Sequence, residues 1–227
     1  MRPLYCQLGI AGYGEAGSTV ITHGMYSSYA VQPEYTFGAN TIRTGAMLTV
    51  AGNNLRHFSG AYINAERKFN LKSFPLSVTG FYLLNPFSSD MNEINWGLQL
   101  MWHNEHVQIR LGNNFRVYRF NKQAIDAYGF PANADTKIRE PWNLMYAFTY
   151  SLKPADHQWN LSGTLCNYDH FLILQETNPM VNMKVSLRVS DQCSIYAEWW
   201  YRSAGLLNMH VNYYGTFLRI GGVWKLK

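Results

Sequence analysis

Trp142-Asn143-Leu144-Met145-Tyr146-Ala147-Phe148-Thr149-Tyr150-Ser151-Leu152 is the stretch on which the fold turns. Trp142, Leu144, Tyr146, Phe148, Tyr150 and Leu152 take every second position, with Asn143, Met145, Ala147, Thr149 and Ser151 between them. Successive side chains of a strand point to opposite faces, so a period of two yields one apolar face and one smaller or more polar face. The pattern recurs along the chain. Val181, Met183, Val185, Leu187 and Val189 alternate with Asn182, Lys184, Ser186 and Arg188. Ile94, Trp96, Leu98, Leu100 and Trp102 alternate with Asn95, Gly97, Gln99 and His103. Val107, Ile109 and Leu111, then Phe115 and Val117, alternate with Gln108, Arg110, Gly112, Asn114 and Arg116. Nothing comparable repeats at 3.6 residues, so the chain reads as all-β.

Working outward from these segments gives about 12 strands, near 4–13, 18–29, 35–51, 55–68, 73–84, 93–103, 106–120, 141–152, 158–169, 180–189, 193–203 and 215–226. Many exceed the five or six residues of an ordinary soluble strand. Most reach the roughly 9–11 residues that a tilted strand needs to cross a bilayer. The connections sort by parity. Even ones are short, near 30–34, 69–72, 104–105, 153–157 and 190–192, while odd ones include long segments near 85–92, 121–140, 170–179 and 204–214. Two odd connections, near 14–17 and 52–54, are short as well. Short periplasmic turns at one end and longer extracellular loops at the other characterise antiparallel outer-membrane barrels. The expectation is a single closed antiparallel transmembrane β-barrel over residues 1–227, with both termini at the periplasmic end.

Composition excludes the main alternatives. The 227 residues are 47% hydrophobic and 15% aromatic but only 15% charged, against a usual charged share of about 25%. Such a chain buries surface and does not stay disordered. No run of about 20 apolar residues is present, so membrane helices are excluded. The net charge of +5 is scattered without a basic run, which speaks against nucleic acid. Cys6, Cys166 and Cys193 have neither metal-ligand spacing nor the density of a disulfide scaffold. Neither cofactor nor metal is expected. Met1–Gln7 has no apolar segment followed by a small-residue cleavage site. An outer-membrane location therefore takes a signal peptide to have been removed.

Aromatic placement agrees with a lipid-facing outside. Trp96 and Trp102 bracket Leu98 and Leu100; Trp142 opens and Tyr150 nearly closes another apolar face. Trp159 opens a third, and Trp224 lies near the end of the last strand. Such rings suit the two lipid–water interfaces, where an apolar body can keep a wet polar edge.

With these features in place the chain resembles bacterial outer-membrane β-barrel proteins. Gly215-Thr216-Phe217-Leu218-Arg219-Ile220-Gly221-Gly222-Val223-Trp224-Lys225-Leu226-Lys227 is similar to their C-terminal strand, although Leu226-Lys227 replaces the usual terminal aromatic. The Tyr- and Asn-rich style is similar to barrels of the Bacteroidota. The resemblance implies an outer-membrane location, contact with outer-membrane lipid, and pores or partner-binding loops as the commonest uses.

Candidate sites are few. Gly12-Tyr13-Gly14-Glu15-Ala16-Gly17 matches a dinucleotide fingerprint, but the β-branched Ser18–Gly24 that follows supplies no helix N-terminus for a pyrophosphate. It reads as a Gly-rich hairpin loop. His57 and Ser59, two apart on one strand face, form a base-and-nucleophile pair near the outer rim. They share parity with Ala61, Ile63 and Ala65, the face expected to meet lipid. That placement is similar to outer-membrane phospholipase A and the lipid A deacylases. The resemblance implies lipid ester hydrolysis with Ser59 as nucleophile and His57 as general base, although Gly60 stands where both commonly have Asn. A polar pair at a strand end is the plainer reading. Asp169-His170 would cooperate only if its strand has ended, and His103-Asn104-Glu105-His106 reads as a solvated turn.

On the polar face, Arg43, Arg110, Arg116, Lys184, Arg188, Arg202 and Arg219 outnumber Glu66 and Glu198. This predicts an electropositive lumen, since charges on the lipid face would cost about 2–4 kcal/mol at mid-depth. Tyr118, Tyr196 and Trp200 share that face and narrow it, and loops 121–140 and 204–214 are candidates to fold inward. The leading expectation is a small pore with a cationic lumen for small polar or anionic solutes. The alternatives are a non-conducting barrel whose extracellular loops bind a protein partner and, third, a lipid acyl hydrolase at His57 and Ser59.

Overall fold

The computed structural model describes residues 6–18, 25–51, 56–71, 74–86, 91–127, 135–152, 158–202 and 215–226. The twelve strands are β1 (Cys6–Ser18), β2 (Met25–Phe37), β3 (Asn40–Ala51), β4 (Arg56–Leu71), β5 (Phe74–Pro86) and β6 (Met91–His103), then β7 (Val107–Phe120), β8 (Lys137–Leu152), β9 (Trp159–Cys166), β10 (Met180–Arg188), β11 (Cys193–Arg202) and β12 (Gly215–Leu226). Each pairs antiparallel with its sequence neighbours, and β1 pairs β12 to close the barrel. Closure leaves no edge strand and satisfies the backbone within the wall.

The burial pattern is inside-out relative to a soluble barrel. Along β12, Phe217 and Arg219 are buried whereas Leu218 and Ile220 are exposed. The outward set of β8, including Trp142, Leu144, Phe148, Tyr150 and Leu152, is exposed, while Asn143, Met145 and Ala147 are buried. An apolar outside around a polar inside is the arrangement of a membrane-spanning barrel. Trp96 and Trp142 face outward toward the long-loop end, with Trp96 stacked on Phe115 at 6.0 Å. Trp102, Tyr150, Trp159 and Trp224 face outward near the short-turn end. The two rows lie about six residues apart on β6, roughly 20 Å along the strand.

Two expected boundaries move. The turns expected near 14–17 and 30–34 lie inside β1 and β2, and the first short turn is Gly38-Ala39. Gly38 supplies its positive φ of 58°. Pro33 produced the second misreading. It sits within β2, and the β2–β3 ladder skips from Val31 to Glu34 around it. The glycines of 12–17 produced the first. A Cβ at Gly17 would lie 2.7 Å from the Phe217 Cβ and 2.9 Å from the Tyr26 ring, so this glycine makes room for inward aromatics and is not a turn residue. With both corrections, the first odd connection lengthens and the parity of loop lengths sharpens. The connection after β7 also carries a helix, α1 (Lys122–Ala127), capped by the Asn121 side chain accepting from Gln123 N–H.

Candidate functional site

β9 is only eight residues long, and the chain after Cys166 turns into the barrel. Asn167 makes that turn possible. Fully buried, it accepts from Tyr146 N–H at 2.9 Å and donates to the carbonyls of Leu144 (2.8 Å) and Leu174 (3.2 Å), so the side chain replaces the ladder that β8 has lost. Asp169 Oδ1 accepts from Phe171 N–H at 2.8 Å, and a bridge between Tyr168 and Ile173 closes a small hairpin. Phe171, Leu172, Ile173 and Leu174 form a continuous apolar run, all buried. Phe171 and Ile173 pack among Tyr13, Ala30, Tyr62, Leu83, Met145 and Tyr196. Leu172 and Leu174 pack among Ala147, Cys166, Met180, Trp200 and Phe217. The wall holds the backbone of this segment too: Arg116 donates to Ile173 O at 2.5 Å and Asn85 to Phe171 O at 3.1 Å.

Segment 167–179 divides the lumen. Toward the short-turn end lies a cavity of about 710 Å³. Toward the long-loop end lies a smaller cavity of about 50 Å³, lined by residues including Glu15, Tyr26, Ser28, Thr49 and Ser59. Asp169 and Arg219 border both. The inward loop is therefore 167–179. Of the two loops expected to fold in, the described part of 121–140 contributes α1, whose Ile125 is buried, while 128–134 and 204–214 lie outside the described residues.

The expected cations face inward but are mostly neutralised. Glu15, Arg219, Glu198 and Lys184 sit directly opposite one another across β1, β12, β11 and β10, a row of alternating sign. Arg219 donates to Glu15 at 2.7 Å and lies 3.4 Å from Glu198, and Lys184 pairs with Glu198 at 2.9 Å. Arg43 bridges Glu34 and Glu66. Arg116, wholly buried, meets Glu93 at 3.4 Å and Glu140 at 3.0 Å. Arg202 pairs with Asp169 at 3.0 Å. Buried charges persist only when paired in this way. The interior holds more acid than the expected count of Glu66 and Glu198, because Glu15, Glu34, Glu93, Glu140 and Asp169 join them inside. Glu15 and Glu34 were missed through the misplaced turns; their cross-strand partners Arg219 and Arg43 were the available signal. Arg188 keeps the inward parity but is exposed at the short-turn rim.

Six cations (Arg43, Lys68, Arg110, Lys184, Arg219, Lys225) and four carboxylates (Glu34, Glu66, Asp169, Glu198) line the larger cavity. Among the described residues Lys68, Arg110 and Lys225 have no ion pair. Arg110 instead contacts Met101 Sδ at 3.2 Å.

Asp169 and His170 belong to the inward connection, outside the spanning strands. Burial alone would raise the Asp169 carboxyl, but Arg202 and Arg219 outweigh it and hold the group below the usual carboxylate range. His170 is exposed to the larger cavity and its ring stacks on Tyr62 at 5.2 Å. Enclosure by the barrel, with Arg219, Arg43 and Arg110 nearby, lowers its imidazole, and the cavity water offsets part of that shift. The strand has indeed ended here, yet Asp169 is committed to the arginines and His170 to Tyr62. The His103–His106 turn is organised by Asn104 Oδ1, which accepts from the N–H groups of His106 and Val107. No cluster of His, Cys, Asp and Glu suited to a metal ion occurs among the described residues.

Ser59 departs from its expected face. The β3–β4 register shifts between Met47 and Leu48, which pair with Gly60 and Phe58, so Ser59 is the extra residue of a β-bulge. The bulge breaks the alternation and turns Ser59 inward, where its hydroxyl meets Thr49 and borders the smaller cavity. Phe58, not Ser59, is exposed. His57 lies on β4 opposite Thr49, and its side chain is outside the described residues.

No family model matches the chain, and no curated protein does. Solved structures do resemble it. The KdgM porin in complex with disordered oligogalacturonate aligns over 96% of this chain and 99% of its own, with a TM-score of 0.56 and 13% identity. An outer membrane channel from Pseudomonas putida F1 aligns over 100% and 97%, with a TM-score of 0.56 and 10% identity. Outer membrane phospholipase A from Escherichia coli aligns over 98% and 92%, with a TM-score of 0.54 and 10% identity. Likeness at such identities establishes the fold alone: a closed antiparallel β-barrel of the kind found in bacterial outer-membrane proteins.

Proposed function

We propose that this chain is an outer-membrane pore for small polar or anionic solutes, closed in this structure by segment 167–179. The observation that carries the reading is the 710 Å³ cavity, which ends at a connection and not at the packed side chains of the wall. The wall stays polar beyond the segment, where Ser28 and Thr49 pair with each other and Asn95 and Asn114 join the Arg116–Glu93 cluster. Lys68, Arg110 and Lys225 give the larger cavity its modest positive balance, and hence an anion preference. The fold shared with a porin and a channel supports the same reading. In this orientation the short turns face the periplasm, and the two outward aromatic rows mark the lipid–water boundaries.

A second reading, a non-conducting barrel, rests on one observation: the segment is stapled by two apolar clusters as well as by ion pairs. Ser59 turned inward gives no support to a lipid-facing hydrolase. Proteoliposome swelling decides between pore and staple. Replacing residues 168–174 by a short Gly-Ser linker should let gluconate and glucose enter several-fold faster than into empty liposomes. A folded, inserted variant that swells no faster than empty liposomes overturns the pore.

A further inference from the structure

Asp169 is unlike the other carboxylates of the lumen. Glu15, Glu34, Glu66 and Glu198 belong to the wall, where strand register sets Glu15, Glu34 and Glu198 opposite their cations and Glu66 diagonally across from Arg43. Asp169 belongs to a connection, and its carboxylate is carried to the arginines by a hairpin that packs but does not join the sheet. Its Oδ2 lies 3.0 Å from Arg202 and 3.1 Å from Arg219. Both guanidiniums are buried, and among the described residues Arg202 Nε has no hydrogen-bond partner. The place is set where the two cavities meet.

Charge arithmetic sharpens the point. With Asp169 counted, Arg202, Arg219 and Lys184 balance Asp169, Glu15 and Glu198. Without it, three cations face two carboxylates, and one positive charge is left uncompensated. A buried uncompensated charge is costly, so the site requires an anion. Guanidinium forks match carboxylate geometry, and Arg202 has a donor to spare.

We propose that Arg202 and Arg219 form a recognition site for a solute carboxylate, occupied in this structure by the protein's own Asp169 as a tethered competitor. This deepens the pore reading and rests on it. A solute carboxylate entering through the larger cavity displaces Asp169, and the 167–179 segment is freed with it. A tethered group competes at an effective concentration in the millimolar range, so the resting affinity for free anions is low and removing the competitor raises it.

The probe is citrate, titrated calorimetrically at constant ionic strength into the full-length, detergent-folded protein. Asp169→Asn should bind citrate about tenfold tighter than the unaltered protein, and adding Arg202→Gln should abolish the gain. Equal affinity with and without Asp169→Asn overturns the proposal. A second readout needs no variant: citrate should accelerate amide exchange at residues 169–174 in the unaltered protein, and unchanged exchange likewise overturns it. The swelling assay keeps the two readings apart. Permeation through the shortened variant with no citrate effect removes the competitor and leaves the pore. A citrate effect without permeation leaves an anion receptor and removes the pore.

Discussion

The two halves of this barrel have the same wall and opposite contents. Toward the short-turn end, Arg43 is 30% exposed and shares its charge between Glu34 and Glu66 beside a wide cavity. Toward the long-loop end, Arg116 is 0% exposed and reaches Glu93, Glu140 and a carbonyl of the inward segment. Strand register builds both clusters by the same rule, setting cation opposite carboxylate on adjacent strands. What differs is the solvent each retains. The apolar filling between the two clusters comes from a connection, 167–179, that packs against the wall without joining its ladder.

Breaking an ion pair should separate the halves most sharply. Arg116→Met strands Glu93 in a dry setting and should cost about 3–5 kcal/mol, read as a lowered denaturant midpoint of tryptophan fluorescence. Arg43→Gln, beside the wide cavity, keeps a donor for Glu66, whose side chain is 3% exposed, and should cost less, about 1–2 kcal/mol. Comparable losses from the two would contradict the contrast.

Next in size is release of the segment. Phe171→Ala removes a buried ring worth about 3 kcal/mol or more of packing, but the loss falls on a connection and not on the ladder. Amide exchange should rise across 167–179 while the melting of the barrel stays near its original temperature. Melting of the whole barrel at a lower temperature would mean that the segment is integral to the wall.

Acid should act on the same segment in two windows. His170 is held below its ordinary 6.5 and takes up its proton more readily when released, so its stabilising share, reduced because the ring meets cavity water, is complete above about pH 6.5 and fades as the pH falls below it. Asp169 is also depressed, and its share is lost only as the pH falls further, through its own lowered value. The protection of residues 169–174, taken as the exchange rate relative to the intrinsic rate at each pH, should fall between pH 7 and 4, and His170→Phe should flatten that fall.

The smallest effect on stability belongs to the open half. Lys68→Glu with Lys225→Glu should leave the denaturant midpoint within about 0.5 kcal/mol and reverse the preference for gluconate over a comparable cation in swelling. An unchanged preference would place the selecting charges elsewhere, with Arg110 the next to test.

Strand alternation was legible because each strand meets two different surroundings, and Trp142–Leu152 shows it without help from tertiary structure. The sorting of loop lengths was legible for the same reason. Glycines and Pro33 obscured β1 and β2: Gly12, Gly14 and Gly17 read as turn residues, although they lie within β1 and Gly17 makes room for the inward Phe217 and Tyr26. Glu15 and Glu34 fell with those boundaries, and the interior looked more cationic than it is. The inward segment was not legible at all. Phe171-Leu172-Ile173-Leu174 has no period, and only the closed wall around it creates the cavity that makes burying it favourable. The bulge that turns Ser59 inward is likewise a matter of pairing register.

The most direct test of the central claim is single-channel conductance in planar bilayers, comparing the unaltered protein with the variant whose residues 168–174 are replaced by a Gly-Ser linker. The account predicts rare, brief openings for the first and steady, anion-preferring steps for the second. Silence from the folded, inserted variant, or identical steps from both proteins, would contradict it.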